Sequence, residues 1–443
     1  MKIAIIGAGW AGLAAAIEST RAGHSTVVFE ASRVIGGRAR ALTGALPDGT
    51  PVTLDNGQHI LIGAYRESLR LLRLVGVEAE AALVRLPMTL VFPDGRGLRF
   101  PHWPTPLDAL AGIVSARGWS LADKWCLLLA AAGWQARGFQ CDASSTVTQL
   151  CQRLSSRVMT ELIEPLCVSA LNTPADQASA QVFLRVLKDA LFGVQGSSNL
   201  LLPRVDLSAL FPQAAAHWLC GRGGQLRLGT RVESLLPQGT RWQVQGEDFD
   251  VAILAMSASG SVSTLDSTLP LVNDSLASKI RLWTDVTSQL PFQAITTVYA
   301  WGIDARLPHP MLALCSHGGA TGQQADRAPA QFVFDRGQLG GPQGLLAFVV
   351  SASSDSREAL QAQVIRQAQV QLGLTLRAVQ TVVEKRATFA CRPGLQRPLQ
   401  QIAPGLLACG DYVAGPYPAT LEGAVRSAVT AIRIGLPDVY DAH

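Results

Sequence analysis

The first thirty residues constrain this chain more than any other stretch of it. Lys2-Ile-Ala-Ile-Ile6 is a continuous apolar, β-branched run of the kind buried on both faces of a parallel sheet. It runs into Gly7-Ala8-Gly9-Trp10-Ala11-Gly12 and an Ala/Leu-rich stretch that reads as a helix to about Ala22, stopped by Gly23. Thr26-Val-Val-Phe-Glu30 then supplies a second strand, so the spacing predicts a complete βαβ unit. Gly7 permits the tight turn, Gly9 lets a pyrophosphate lie against the backbone, and Gly12 lets the helix pack closely on the strand. Glu30 stands where a carboxylate accepts from a ribose 2′-hydroxyl, and Ala31 rather than a basic residue follows it. The expected ligand is a dinucleotide without a 2′-phosphate, NAD or FAD.

Composition removes other classes. With 443 residues, 48% apolar and only 16% charged, the chain is neither a small stapled scaffold nor a disordered one. Lys and Arg total 37 against 33 acidic residues, a net charge of +4 with no basic run of five, which gives no footprint for nucleic acid. The eight cysteines form no Cys-x-x-Cys pair and the seven histidines are dispersed, so no metal centre is expected, and reduced thiols fit a cytoplasmic protein. None of the five lysines follows a glycine and no Gly-x-Ser-x-Gly occurs, which removes Walker-type phosphate loops and serine-hydrolase elbows. The apolar N-terminus reads as structural rather than as a signal peptide, because its glycines fall at fixed offsets and lead into a helix and strand. Cys126 to Trp134 is the longest apolar run elsewhere, too short for a bilayer span of ~20 residues.

What separates NAD from FAD is the continuation Ser32-Arg33-Val-Ile-Gly36-Gly37-Arg38. Two glycines let the chain lie along an extended cofactor, and Arg38 can neutralise its pyrophosphate. Here the sequence resembles the amine oxidase and carotenoid-desaturase superfamily of FAD enzymes. That resemblance implies an α/β (α+β) fold, in which a discontinuous Rossmann-like FAD-binding domain carries an inserted, largely helical plus β-sheet substrate domain. It also implies that Asn56-Gly57-Gln58-His59, after Asp55, approaches the isoalloxazine ring, and that Val232 touches the adenine side through its backbone. At the far end, Gly405-Leu-Leu-Ala-Cys409 reads as a buried strand ended by Gly410-Asp411, and Pro418-Ala-Thr420-Leu421-Glu422-Gly423-Ala424 opens a long terminal helix. In the resembled family the aspartate binds the ribityl chain and the helix N-terminus faces the flavin pyrimidine edge, where positive potential favours the anion of the reduced ring.

The expected cofactor domain is therefore 1–75, 205–260 and 400–436, with 76–204 and 261–399 as the substrate domain. Gly221 to Glu233 and Phe249 to Ala255 read as further strands of the cofactor domain. Segment 315–344, rich in Gly and Gln, reads as a surface loop or hairpin. Leu107 to Gly138 has helical apolar spacing and lies among Trp103, Trp119, Trp125 and Trp134. That stripe fits a plain core, or an apolar tunnel or bilayer-dipping face that collects a lipid.

An amine oxidase would place an aromatic residue where this chain has Thr420, and Tyr417 is out of register for that role. More closely, the chain resembles the squalene-associated branch, the bacterial hydroxysqualene dehydroxylases. The resemblance is carried by Asn56-Gly-Gln-His59-Ile-Leu-Ile-Gly-Ala-Tyr65, Glu164-Pro-Leu-Cys-Val-Ser-Ala-Leu-Asn172 and the Pro418 to Arg426 stretch. It implies reductive loss of an allylic hydroxyl from an apolar isoprenoid, with hydride from flavin N5 and an external reductant for the flavin. His59 and Tyr417 are the candidate proton donors for that step. An isoprenoid desaturase is the alternative, ahead of an amine oxidase or a flavin-free prenyl-lipid carrier. The expected location is cytoplasmic, with peripheral contact on the inner face of the membrane.

Overall fold

The computed structural model describes residues 1–316 and 328–436. The chain opens with strand β1 (Lys2–Ile6), helix α1 (Trp10–Arg21) and strand β2 (Ser25–Glu30). β1 and β2 pair in parallel, and Gly23 ends α1 with a φ of 82° that a Cβ would resist. Helix α2 (Arg66–Leu74) follows, and then a helical stretch containing α3 (Leu107–Val114), α4 (Leu121–Ala136) and α5 (Glu164–Leu171). α4 starts on a capping box in which the Ser120 hydroxyl accepts from the Asp123 N–H while the Asp123 carboxylate accepts from the Ser120 N–H.

The chain then returns to the first sheet through β3 (Gln225–Leu228) and β4 (Val251–Leu254). Next come three long strands, β5 (Phe292–Trp301), β6 (Leu345–Ser353) and β7 (Arg377–Phe389). The last elements are β8 (Leu406–Ala408) and α6 (Leu421–Gly435). One sheet has the order β3-β2-β1-β4-β8 with Gln401–Ala403 at its edge. All its pairings are parallel except that of β8 with the edge strand. Its strands thus come from residues 2–30, 225–254 and 401–408, which are far apart along the chain.

Burial explains the uninterrupted apolar runs. Ile3 and Ile5 of β1 point into a core shared with α1 and α6, whereas Ala4 and Ile6 point into the larger core on the other face. With both faces covered, the period-two alternation of a half-buried strand disappears. The second sheet is antiparallel, in the order Met311–Ala313, Phe332–Asp335, β6, β5, β7. One face of it packs on the helix Arg357–Leu372 through Val298, Phe348, Leu360 and Val364.

The reading of 315–344 as a surface loop or hairpin is corrected in its placement, since the segment carries an antiparallel strand that is buried rather than on the surface. Phe332–Asp335 is a fully buried strand, and Arg336–Leu339 is a short 3-10 turn with Arg336 and Leu339 buried. Gly and Gln flank the strand closely enough to hide its run of three apolar residues, Phe332 to Phe334. The portion 317–327 lies outside the described residues. In the helical stretch, Trp119 and Trp134 are core residues while Trp103 and Trp125 are exposed. Among the described residues no helix is long and apolar enough to cross a membrane.

Candidate active site

The site is built where the first sheet, the loop after β2 and the start of α6 converge. Gly7 has a φ of 117°, and a Cβ there would lie 2.6 Å from the Ala255 carbonyl oxygen. A Cβ on Gly12 would strike the Gly7 carbonyl oxygen. Both glycines are therefore required by the protein's own packing. Gly9 differs, because a Cβ there would meet nothing nearer than the Gly37 Cα at 3.9 Å. Gly9 bridges to Gly36, whose N–H donates to the Ala8 carbonyl at 2.9 Å. Two bare backbone segments thus face one another, and a side chain on Gly9 or Gly37 would fill the space between them.

The surrounding donors suit a diphosphate. α1 has no side-chain cap and no acid in its first turn, so its leading N–H groups and positive dipole end stay available. Glu30 sits at the end of β2, with Oε2 accepting from the Ala8 N–H at 2.7 Å and Oε1 from the Ser32 N–H at 2.8 Å. These bonds fix the carboxylate while leaving lone pairs for a ribose. Trp10 and Ala11 are buried behind the turn, the indole N–H donating to the Ala39 carbonyl at 3.3 Å. Ala31 is exposed beside Glu30. Val232 is buried, and its carbonyl accepts from the Thr264 hydroxyl.

Arg38 and Asp411, singled out from opposite ends of the sequence, meet directly at 2.5 Å. The Arg38 guanidinium also donates to the Ala387 carbonyl at 2.6 Å, which ties the cofactor loop to β7. Gly410 precedes the pair, and its N–H donates to the Ser427 hydroxyl of α6 at 2.8 Å. Thr420 caps α6 by accepting from the Gly423 N–H at 3.0 Å, so Leu421 and Ala424 fall in the first turn of a capped helix.

Glu422 has a task that its motif does not announce. Its carboxylate, 1% exposed, accepts from the Glu67 and Ser68 N–H groups at 3.1 and 2.9 Å and from the Ser68 hydroxyl at 2.8 Å. α2 has no capping side chain of its own, so α6 supplies one. Arg426 completes the cluster by donating to Glu422 at 2.7 Å.

In the central loop Asn56 exchanges bonds with Arg40, through its N–H and its side-chain oxygen. The Gln58 N–H donates to the Thr297 hydroxyl at 3.4 Å, and its side-chain oxygen accepts from Arg336 at 3.3 Å. His59 has Nδ1 at 2.8 Å from the Gly57 carbonyl, which assigns the proton to Nδ1 and leaves Nε2 an acceptor. Burial lowers its pKa, with the Gly57 bond opposing and the Arg38 charge reinforcing the shift. His59 is accordingly neutral near pH 7.

Tyr417 lies in a second group. Its hydroxyl donates to Asp189 at 2.9 Å and lies 3.4 Å from Arg185, while Arg185 and Arg426 sit over its ring at 5.4 and 5.1 Å. Burial raises the Tyr417 pKa and the bond to Asp189 adds to the shift. A cavity of about 190 Å³ brings Tyr417 together with Asp411, Arg185, Arg397 and Arg426. Arg185, Asp189 and Arg397 carried no motif in the sequence, and only their convergence on Tyr417 and Asp411 in space distinguishes them.

The fold and site define a flavin-binding α/β oxidoreductase, with the N-terminal turn, the Gly-Gly-Arg loop and the C-terminal helix on one extended cradle. The chain belongs to the flavin-containing amine oxidoreductase family, which it matches over residues 10–432. It is 27% identical to a hydroxysqualene dehydroxylase of Rhodopseudomonas palustris over 96% of this chain and 95% of that one. To a protein of the same name from Zymomonas mobilis it is 25% identical, over 98% of each. A 15-cis-phytoene desaturase of Synechococcus elongatus aligns at 27% identity over 53% of this chain and 51% of its own. Among solved structures, an oxidoreductase from Methanosarcina mazei superposes with a TM-score of 0.71 at 16% identity, covering 98% of this chain and all of that one. Cyclohexylamine oxidase from Brevibacterium oxydans superposes with a TM-score of 0.62 at 14% identity, covering 99% of each chain. The protein is an FAD-dependent oxidoreductase of the amine oxidase and carotenoid-desaturase superfamily.

Proposed function

We propose that this enzyme removes the hydroxyl of hydroxysqualene reductively to give squalene. The observation that carries the reading is alignment from end to end with two hydroxysqualene dehydroxylases; a third of that name and the phytoene desaturase each align over about half of the chain. The substrate gains a hydride at the carbon that loses its hydroxyl, and the oxygen leaves as water after taking a proton. FAD, when bound and reduced, supplies that hydride, and an external two-electron reductant restores it. Gly7, Gly9, Gly12, Glu30, Gly36, Gly37, Arg38, Gly410 and Asp411 would hold the cofactor, with the start of α6 at its far end.

The chain's own part is to position the alcohol, exclude bulk water and furnish the proton. Between the two candidate donors, His59 is neutral and presents an acceptor, so it suits a polar contact beside the ring. Tyr417 keeps its proton because burial and the bond to Asp189 both raise its pKa, and solvent restores the proton it gives up. We assign proton delivery to Tyr417 and the holding of its hydroxyl to Asp189 and Arg185.

Anaerobic incubation of the prereduced holoenzyme with hydroxysqualene, followed by mass spectrometry of the organic extract, tests this reading. Squalene is expected in proportion to the reduced flavin consumed. Unchanged hydroxysqualene, together with bleaching of the oxidised enzyme by a saturated isoprenoid bond, would replace the proposal with a desaturase.

A further inference from the structure

Exposed apolar side chains are distributed unevenly over this molecule. Of the seventeen large hydrophobic residues exposed among the described residues, seven lie between Trp103 and Leu129. Their spacing is helical. Leu107, Leu110 and Val114 form one row on α3, and Leu121, Trp125 and Leu129 form another on α4 at 85%, 63% and 57% exposure. The two helices pack on each other, and the Lys124 ammonium on α4 donates to the Val114 carbonyl at the end of α3. The outer row of α4 continues through Ala132 and Ala136, also exposed, without a charged residue.

A solvated helix face normally carries charge, and this one does not. The acids available are turned inward. Asp108 is buried and accepts from the Ser198 hydroxyl, and Asp123 is committed to the capping box. Between residues 99 and 138 the exposed charges are Arg99, Arg117 and Arg137, with Lys124 half-buried. The exposed charges of this segment are thus all basic, beside an apolar centre that holds exposed tryptophan.

We propose that α3, α4 and Trp103 form a docking face for a bilayer containing anionic lipid. Apolar side chains in the acyl boundary, tryptophan at the headgroup level and basic residues against the phosphates are the chemistry such a surface rewards. Neither α3 nor α4 spans, so the attachment is interfacial and reversible. The inference does not rest on the hydroxysqualene reading, since any water-insoluble substrate would reach the enzyme by the same face.

Sedimentation of the FAD-loaded protein with phosphatidylcholine vesicles, with and without phosphatidylglycerol, tests it. Wild-type protein pellets with the anionic vesicles, less with the neutral ones, and less again at high salt. The triple change Leu121→Ser, Trp125→Ser, Leu129→Ser lowers the bound fraction by about tenfold or more. Its retained flavin absorbance reports an intact fold. Arg117→Gln with Arg137→Gln reduces the preference for anionic lipid. Leu282→Ser and Ile303→Ser, exposed apolar positions elsewhere, change nothing. Quenching of tryptophan emission by brominated lipid needs no variant, and its absence overturns the proposal even if the triple variant fails to fold. Wild-type protein left in the supernatant with both vesicles overturns it, as does equal loss of binding in the Leu282 and Ile303 variants. A dimer that the triple change splits, with no vesicle binding by wild type, assigns the face to a second copy instead.

Discussion

At the residue scale, glycines that look alike in the sequence have different reasons to be glycine. Gly12 serves the fold, because its position leaves no room for a Cβ against the Gly7 carbonyl. Gly9 has no such clash, since a Cβ there would meet nothing nearer than the Gly37 Cα at 3.9 Å, and its proposed reason to be glycine is the cofactor. Gly9→Ala is therefore expected to yield protein with the wild-type far-ultraviolet spectrum and thermal unfolding of the stripped form, but with flavin affinity weakened about tenfold or more. Gly12→Ala is expected to destabilise the stripped protein itself by roughly 2 kcal/mol or more. Flavin titration beside unfolding of the stripped forms separates the two, and equal behaviour of the pair would refute the distinction. The glycine fingerprint was legible from spacing alone. His59 was legible as a polar residue of the loop, but its tautomer was not, since that depends on the Gly57 carbonyl turning back to Nδ1.

At the scale of elements, β1, α1 and β2 could be read within a residue or two, because their period and glycine punctuation are local. The junction of α6 with α2 could not. Glu422 and Glu67 are 355 positions apart, and a Glu-Gly-Ala run gives no sign that its carboxylate caps another helix. Glu422→Ala leaves the Glu67 and Ser68 N–H groups without their acceptor and deprives Arg426 of its buried partner. A loss of about 3 kcal/mol in denaturant unfolding is expected. Stability within 0.5 kcal/mol of wild type, about the scatter of a surface change, would show the cap to be dispensable. Asn172 behaves similarly. Its motif pointed to a branch of the superfamily, while its physical work is to end α5 at a φ of 46° and bond Thr388 of β7 and the Ala352 N–H of β6. Only the assembled sheet makes those partners visible.

For the whole molecule, the same long-range logic concentrates on Asp55, which lies 3% exposed between the two sheets. Its Oδ1 accepts from the Leu207 N–H at 2.8 Å, its carbonyl accepts from the Tyr299 hydroxyl of β5 at 2.9 Å, and Arg336 stands 3.9 Å from Oδ2. Burial outweighs the Leu207 bond and the Arg336 charge and raises its carboxyl from 3.8 to about 6. A pKa raised on folding contributes stability below the unfolded value, and that contribution is lost as pH rises through about 6. Asp55→Asn keeps an acceptor for Leu207 without the charge. The variant should match wild type near pH 4 and exceed it by up to roughly 3 kcal/mol near pH 7. A difference between the two proteins that stays flat across that range would discard the account. The sequence suggested Asp55 only as the lead residue of a polar patch, because its surroundings are supplied by residues as distant as Leu207, Tyr299 and Arg336. The order of the first sheet also bears on how the protein is made. β4 pairs on one side with β1 and on the other with β8, whose residues 406–408 are translated after every strand of the second sheet. A nascent polypeptide therefore carries β4 with one edge open while the whole second sheet is made, and the first sheet closes only after it.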